Sequence, residues 1–345
     1  MLHSLEEFAS WLYGGEDPHR LSRQTHQLMG LVRQQNLERE YHPAFLPKAE
    51  GGKRQLWVPS RPLAHLQRGV LQLLGEGSVS SSATAYEPGC SLRKNALPHC
   101  GTAWLVRLDL EGFFHSISFR QVYRAIDQAL ERSPLVGKHY LNEFDRPCRS
   151  DGTYNQVLSF YFAHFCTWRG CLPQGAPTSP HLSNLVFYPL DEALLGYCKR
   201  NGITYTRYSD DLFFSALQLS VGDLLRFVRP LLSAHGFRLN EQKTQIVGPG
   251  GRKQLAGVVV SNKLQARREL RRQLRQVFYY IGRFGLDSHL ERVGEQQAPD
   301  AYLRQLIGRV GFVLQINPAD QEFQHYMERG KVWLRELEQG KDGRD

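Results

Sequence analysis

Near the start of the chain Leu5, Phe8 and Leu12 recur at helical spacing, and residues 1–50 read as mixed but mainly helical. Lys53-Arg54-Gln55-Leu56-Trp57-Val58-Pro59 then alternates like a strand and stops at proline; a helical segment follows over Leu63 to Leu74, and a Gly/Ser-rich loop over 75–82. Trp104 to Leu110 is a short apolar run that suits a buried strand, with an acid, Asp109, at its end. Ser118-Phe119-Arg120-Gln121 has the spacing of a capping box, in which the serine and glutamine side chains satisfy each other's backbone N–H groups. Val122, Ile126 and Leu130 continue from it at helical pitch. Thr178 to Leu195 and Val221 to Ala234 read as further helices. Between them, Ile203 to Tyr208 and Leu212 to Ser215 flank Ser209-Asp210-Asp211, which predicts a β-hairpin with acids at its tip. Gly257 to Val260 reads as a strand and everything after Lys263 as helix. Strands interspersed with helices, with no fixed-period repeat, predict an α+β (mixed α/β) protein.

Composition changes this picture little. The chain has 345 residues, 41% hydrophobic and 22% charged, with 31 Gly and 17 Pro dispersed along it, which excludes a disordered or low-complexity polymer and suits two or three domains. Apolar stretches such as Leu255 to Val260 are far too short to span a membrane, and Glu6 and Glu7 do not belong in a secretory leader. The cysteines at 90, 100, 148, 166, 171 and 198 form no Cys-x-x-Cys pair and no zinc spacing, so free thiols, a cytoplasmic setting and no membrane partner are expected.

Charge does change it. Lys and Arg number 43 against 34 Asp and Glu, a net +9 that favours polyanionic partners. Part of the excess is concentrated over residues 263–275, where Lys263, Arg267, Arg268, Arg271, Arg272 and Arg275 stand against Glu269 alone. Leu270, Leu274, Val277 and Ile281 share one helical face there and the arginines fill an adjoining arc. A soluble helix usually alternates signs, so this run points to phosphate contacts; a merely solvated face is the plainer alternative.

Three carboxylates carry candidate chemistry. An acid ending an apolar strand, Asp109, costs free energy unless solvated or paired, and adjacent acids at a tight turn, Asp210 and Asp211, repel unless a cation lies between them. Oxygen donors without His or Cys favour Mg²⁺, which keeps water ligands and completes its shell with substrate phosphates. On its own, an Asp-Asp pair is most often a solvated turn.

The surroundings add to that pair. Tyr208-Ser209-Asp210-Asp211 resembles the Tyr-x-Asp-Asp box of reverse transcriptases, and Leu172-Pro173-Gln174-Gly175-Ala176-Pro177-Thr178-Ser179-Pro180 resembles their fourth block. Leu108-Asp109-Leu110-Glu111-Gly112-Phe113-Phe114 is similar to the block with the first catalytic acid, and Lys53 to Pro59 followed by Leu66-Gln67 to the first fingers block. His235-Gly236-Phe237 with Asn240 and Lys243-Thr244 resembles the sixth block, and Gly257-Val258-Val259-Val260 the seventh. The blocks occur in the family's order, over roughly Lys53 to Asn262. Within the family, Asn95-Ala96-Leu97-Pro98-His99 is similar to the Asn-Ala-x-x-His element of bacterial retron enzymes. Their Val-Thr-Gly element appears here as Leu255-Ala256-Gly257, keeping only the glycine. Leu306 to Phe312 resembles a thumb segment of intron and retron enzymes.

The resemblance implies a right-hand polymerase, with fingers over 1–102, palm over 103–117 and 178–262, a fingers/palm insertion over 118–177 and a helical thumb over 263–345. It implies two Mg²⁺ ions held by Asp109, Asp210 and Asp211 with the Leu110 carbonyl, and dNTP substrates. Arg54, with Lys53 beside it, would hold the triphosphate. Gln174 would touch the incoming sugar, Phe114 would lie under its 2′-carbon and exclude ribonucleotides, Lys243 would sit by the pyrophosphate as a proton donor, and Tyr208 would pack beneath the primer end. The plainer readings are a solvated strand charge for Arg54, core packing for Phe114 and a surface lysine for Lys243; Phe113 is expected in the core. Asn95 and His99 would be either a turn brace or an RNA contact. Arg267, Arg268, Arg271, Arg272 and Arg275 would follow template phosphates. The implied activity is that of a retron RNA-directed DNA polymerase, copying a structured non-coding RNA into cDNA from an RNA 2′-hydroxyl. The product would be branched, with a role in anti-phage defence alongside an effector protein. A group II intron-like or diversity-generating reverse transcriptase, or an idle RNA-binding scaffold, are the alternatives. No maturase or endonuclease extension is recognised, which favours the retron, and the intact acids speak against the scaffold.

Overall fold

A computed structural model describes residues 2, 4–14, 17–32, 34–47, 51–75, 79–133, 135 and 154–342. Cys148, the middle of the 118–177 segment and part of the 75–82 loop therefore lie outside the described residues. The chain divides into two compact units, the first made of Met1–Gly89, Leu108–Leu212 and Ser220–Thr244, the second of Cys90–Arg107, Phe213–Leu219 and Gln245–Asp345.

The chain begins with α1 (Leu5–Tyr13), α2 (Pro18–Leu31) and α3 (Gln34–Arg39), then the strands β1 (Tyr41–Pro47) and β2 (Lys53–Pro59), and α4 (Arg61–Leu74). Serine oxygens start two of these helices: Ser4 accepts from the Glu7 N–H and Ser60 from that of Leu63. The strands β1 and β2 pair antiparallel, Tyr41 opposite Pro59 and Pro47 opposite Lys53. After α5 (Leu92–Ala96) come β3 (Trp104–Asp109), α6 (Phe113–Ser116), α7 (Phe119–Leu130), α8 (Tyr154–Cys166), α9 (Ser179–Arg200), β4 (Thr204–Tyr208), β5 (Asp211–Ala216) and α10 (Val221–Ala234). The remainder holds β6 (Gln245–Val247), β7 (Lys253–Leu255), β8 (Val258–Val260), β9 (Leu264–Ala266), α11 (Arg268–Phe284), α12 (Leu286–Val293), α13 (Pro299–Ile316) and α14 (Gln321–Asp342).

Strands hydrogen-bond in the order β4-β5-β3-β6 in one sheet and β7-β8-β9 in another. Every residue of β5 is buried, as suits a strand covered on both faces, and Leu105, Val106 and Leu108 of β3 are buried with it. The capping box forms at Ser118 and Gln121, and Val122, Ile126 and Leu130 line the buried face of α7 as their spacing predicts. The mixture of helix and sheet is the one expected.

Two expectations are corrected. The first fifty residues contain β1, and the stretch after Lys263 opens with β9 before α11 begins, because Leu264 and Ala266 are buried on either side of a half-exposed Gln265 in strand alternation. Among the described residues the five cysteines are free thiols, and no helix is long and apolar enough to cross a membrane.

Candidate active site

The first unit brings the predicted acids to the end of one strand and the tip of one hairpin. Beyond β3 the backbone is clamped on two sides: the Leu110 N–H donates to the Asp210 carbonyl at 3.0 Å, the Asn240 N–H to the Asp109 carbonyl at 2.8 Å, and the Glu111 N–H to the Arg238 carbonyl at 2.9 Å. Asp109 and Asp211 are buried, at 4% and 9% exposure, whereas Asp210 is partly exposed. Lys243 reaches Asp109, Nζ to Oδ2 at 3.5 Å, from a side chain that is 57% exposed. Water screens so exposed a partner, so the Lys243 contact with Asp109 is weak.

The turn between β4 and β5 is held from beneath. Ser209 sits at φ 61°, uncommon for a residue with a side chain. Its hydroxyl lies 2.6 Å from the Tyr86 hydroxyl, and its carbonyl accepts from Arg207 Nη1 at 3.2 Å. Arg207 and Asp191 are wholly buried as an ion pair, with Nη2 to Oδ2 at 2.7 Å and Nε to Oδ1 at 3.0 Å. Asn184 Oδ1 accepts from Nη1 at 3.1 Å, the Tyr205 hydroxyl donates to Asp191 at 2.7 Å, and the guanidinium lies 4.7 Å from the Phe187 ring centre. Burial favours loss of the Arg207 proton, but the Asp191 charge and hydrogen bonds outweigh it and hold the pKa above its ordinary value. Sequence reasoning missed this pair; the signal was an arginine inside the strand-like run before Tyr208 and an aspartate on the preceding helix.

Of the residues expected around a nucleotide, Gln174 accepts from the Trp57 N–H through its carbonyl at 2.7 Å, so the fourth-block segment lies against β2. Gly175 follows at φ 125°, and a Cβ there would stand 2.9 Å from the Trp57 carbonyl oxygen, which only glycine avoids. Lys53 and Arg54 are exposed at the start of β2. Phe114 is half-buried, its ring centre 6.4 Å from that of Tyr86, while Phe113 is buried against Phe187 and Phe237 as expected. Tyr208 is half-buried at the end of β4.

Among the described residues no three His, Cys, Asp or Glu side chains form a ready cluster for a metal ion. The donor set nevertheless fits a hard divalent cation: carboxylate oxygens with no nitrogen or sulfur, too few to saturate the ion, as suits Mg²⁺ completing its shell with water and phosphate oxygens.

A sequence profile for reverse transcriptase (RNA-dependent DNA polymerase) matches residues 46–277. The chain belongs to the reverse transcriptase family. It is 33% identical over 290 residues to the Retron Mx65 reverse transcriptase of Myxococcus xanthus, covering 82% of this chain and 63% of that protein. It is 32% identical over 243 residues to the Retron Ec86 reverse transcriptase of Escherichia coli, covering 70% of this chain and 68% of that one. The chain thus spans about two thirds of the length of these relatives. Among solved structures it is similar to an apo telomerase from Candida tropicalis, 12% identical, covering 85% of this chain and 61% of that chain at a TM-score of 0.46.

In the second unit, Asn95 and His99 are wholly buried, and neither side chain offers surface to an RNA. His99 Nδ1 lies 2.7 Å from the Ser215 hydroxyl, and burial lowers its pKa to about 4, so it is a neutral internal brace at pH 7. In the Leu255-Ala256-Gly257 element Leu255 ends β7 and the other two residues make the tight turn into β8, with φ of 44° at Ala256 and 88° at Gly257. On α11 the uniform basic face is corrected. Arg271, only 13% exposed, pairs with Asp320 and lies 4.6 Å from the Phe323 ring centre, and Arg275 binds Glu322 through Nε at 2.5 Å and Nη2 at 2.7 Å. The acids absent from the run itself come from the start of α14 and the residue before it. Arg267, Arg268 and Arg272 remain exposed. Arg252, Arg268, Arg271 and Arg275 line a cleft of about 510 Å³.

Proposed function

We propose that this protein is an RNA-directed DNA polymerase of a retron. Residues 103–117 and 178–262 would serve as palm, 1–102 as fingers, 118–177 as an insertion between them and 263–345 as thumb. The observation that carries the reading is the join between strand end and hairpin tip. The Leu110-to-Asp210 hydrogen bond keeps Asp109 beside Asp210 and Asp211, in a chain of the reverse transcriptase family.

Polymerisation joins a primer hydroxyl oxygen to the α-phosphorus of an incoming deoxynucleotide and releases pyrophosphate. Mg²⁺ ions, when bound, supply Lewis-acid activation of the attacking oxygen and neutralise charge on the leaving group. Asp109, Asp210 and Asp211 would hold them, the Leu110 carbonyl contributing. Fixed at strand ends, these acids need little reorganisation as charge develops at phosphorus. Lys243, whose Nζ lies 3.5 Å from Asp109 Oδ2, would give a proton to the departing pyrophosphate. Arg54 grips the triphosphate as a fork, helped by Lys53, and Gln174 orients the sugar. Phe114 excludes a 2′-hydroxyl, and Tyr208 supports the primer end. Arg267, Arg268 and Arg272 follow the template backbone. The finer reading is a cytoplasmic enzyme that copies a structured non-coding RNA from an internal 2′-hydroxyl into a branched product, acting with an effector in anti-phage defence.

The test is deoxynucleotide incorporation by the purified protein on its copurifying RNA, with Asp210→Ala and Asp211→Ala as controls. Incorporation by wild type alone is expected, and equally little by all three would refute the enzyme. Sequencing the product reads the priming: a linear, unbranched cDNA would remove the 2′-hydroxyl start and leave polymerisation intact.

A further inference from the structure

The first unit contains a second cavity, of about 280 Å³, lined by Leu37, Glu38, Phe119, His164, Trp168 and Arg169 and by none of the residues of the acid turn. Arg169 occupies a tight hairpin turn in which the Trp168 and Cys171 N–H groups bond each other's carbonyls at 2.8 and 3.1 Å. Both central residues have positive φ, 51° at Arg169 and 77° at Gly170. Asn-Gly suits such a turn, so arginine is a strained choice there. The turn sets the Arg169 guanidinium 4.5 Å from the Trp168 ring centre and its Nε 3.7 Å from Glu38 Oε2, a contact screened by water because the arginine side chain stays 61% exposed, so a phosphate can compete for it. Backbone strain of this kind is a pointer to function.

Trp168 adds an independent sign. It is 7% exposed, and its indole N–H is buried without a hydrogen-bond partner, a cost that an acceptor on a ligand removes. Phe119 and His164, ring centres 4.5 Å apart, provide two more flat surfaces, and burial lowers the His164 pKa, leaving that ring neutral at pH 7. The volume falls just short of a drug-sized pocket and suits one heterocycle. Aromatic and guanidinium surfaces are what hold unstacked bases, a base carbonyl or ring nitrogen supplies the missing acceptor, and an exposed arginine suits a phosphate.

We propose that this cavity is a nucleotide site additional to the polymerase site, with the base among Phe119, His164 and Trp168 and the phosphate at Arg169. A free nucleotide and an unpaired nucleotide of an RNA strand share that chemistry. Both are tested on the full chain by photocrosslinking, one arm with 4-thiouridine monophosphate and the other with a short single-stranded RNA carrying 4-thiouridine, the attachment point being mapped by mass spectrometry. Crosslinks are expected on the peptides bearing Phe119, His164 or Trp168. Arg169→Asn should lower their yield about tenfold, by removal of a charge-assisted hydrogen bond. That variant suits positive φ better than arginine does and should melt no lower than wild type. Trp168→Phe, which removes only the N–H donor and part of the ring, should also lower the yield. Crosslinking by the strand but not the mononucleotide assigns the site to RNA, and the converse to a free nucleotide. The Asp210→Ala protein should crosslink normally, so loss of this site and loss of polymerase activity are read separately. Undiminished yield in Arg169→Asn, attachment confined to other peptides, or no attachment by either probe would overturn the proposal.

Discussion

Burial acts oppositely on two basic groups, one in each unit. Arg207, beneath the acid turn, is wholly buried and stays charged; His99, in the second unit, is equally buried and loses its charge. The difference lies in the neighbours. Arg207 faces the Asp191 carboxylate, and its Nη1 donates to Asn184 and the Ser209 carbonyl, so attraction overcomes desolvation. At His99 the nearby Ser215 hydroxyl brings no counter-charge, and desolvation wins. The charge is kept because Asp191 balances it, and the guanidinium holds the turn that presents Asp210 and Asp211.

The largest effect should follow from breaking the charged pair. Arg207→Ala leaves Asp191 buried without its partner and should cost about 3–5 kcal/mol of stability, measured by urea unfolding. Asp191→Asn keeps the shape but leaves the guanidinium buried without a counter-charge, so it should cost a similar amount of stability and also lower deoxynucleotide incorporation, since the Ser209 carbonyl loses a firmly oriented donor. Normal incorporation in a folded Asp191→Asn protein would show that the turn holds itself.

The neutral member gives the next effect. With a folded-state pKa of about 4 against an ordinary value of 6.5, His99 takes up a proton more readily when unfolded. Its contribution is therefore constant above pH 6.5 and declines as pH falls from there toward 4, by about 3 kcal/mol in all. His99→Gln should flatten that part of the stability-versus-pH curve. An unchanged slope would move the acid sensitivity elsewhere.

What the sequence disclosed follows the range of each interaction. The capping box at Ser118 and Gln121 and the hairpin around Ser209 depend on neighbours a few residues apart, and both are readable. Strand β1 was hidden because only Tyr41 of its seven residues is buried, which leaves no alternation to see. The Arg207–Asp191 pair joins a strand to the preceding helix, and residue pattern alone cannot couple them. Nor can it bring Asp109 beside Asp210; only the likeness to a known family pointed there. Arg271 shows the same limit, since its partner Asp320 is 49 residues away, and a run that looked uniformly basic is partly neutralised by a distant segment.

That last contrast yields the smallest effect and the finest test. Arg268 and Arg272 are exposed on α11, whereas Arg271 on the same helix is 13% exposed and paired with Asp320. If exposed charge follows the template, Arg268→Gln with Arg272→Gln should weaken RNA binding and reduce the slope of log affinity against log salt by about one for each phosphate no longer neutralised, with stability unchanged. Arg271→Gln should do the reverse, lowering stability by about 2 kcal/mol through the stranded Asp320 while leaving the salt slope alone. Filter binding across a salt series and urea unfolding of wild type and both variants separate the two. Equal slopes throughout would make the exposed arginines a solubility feature, and a slope change confined to Arg271→Gln would mean that the Asp320 pair opens when RNA binds.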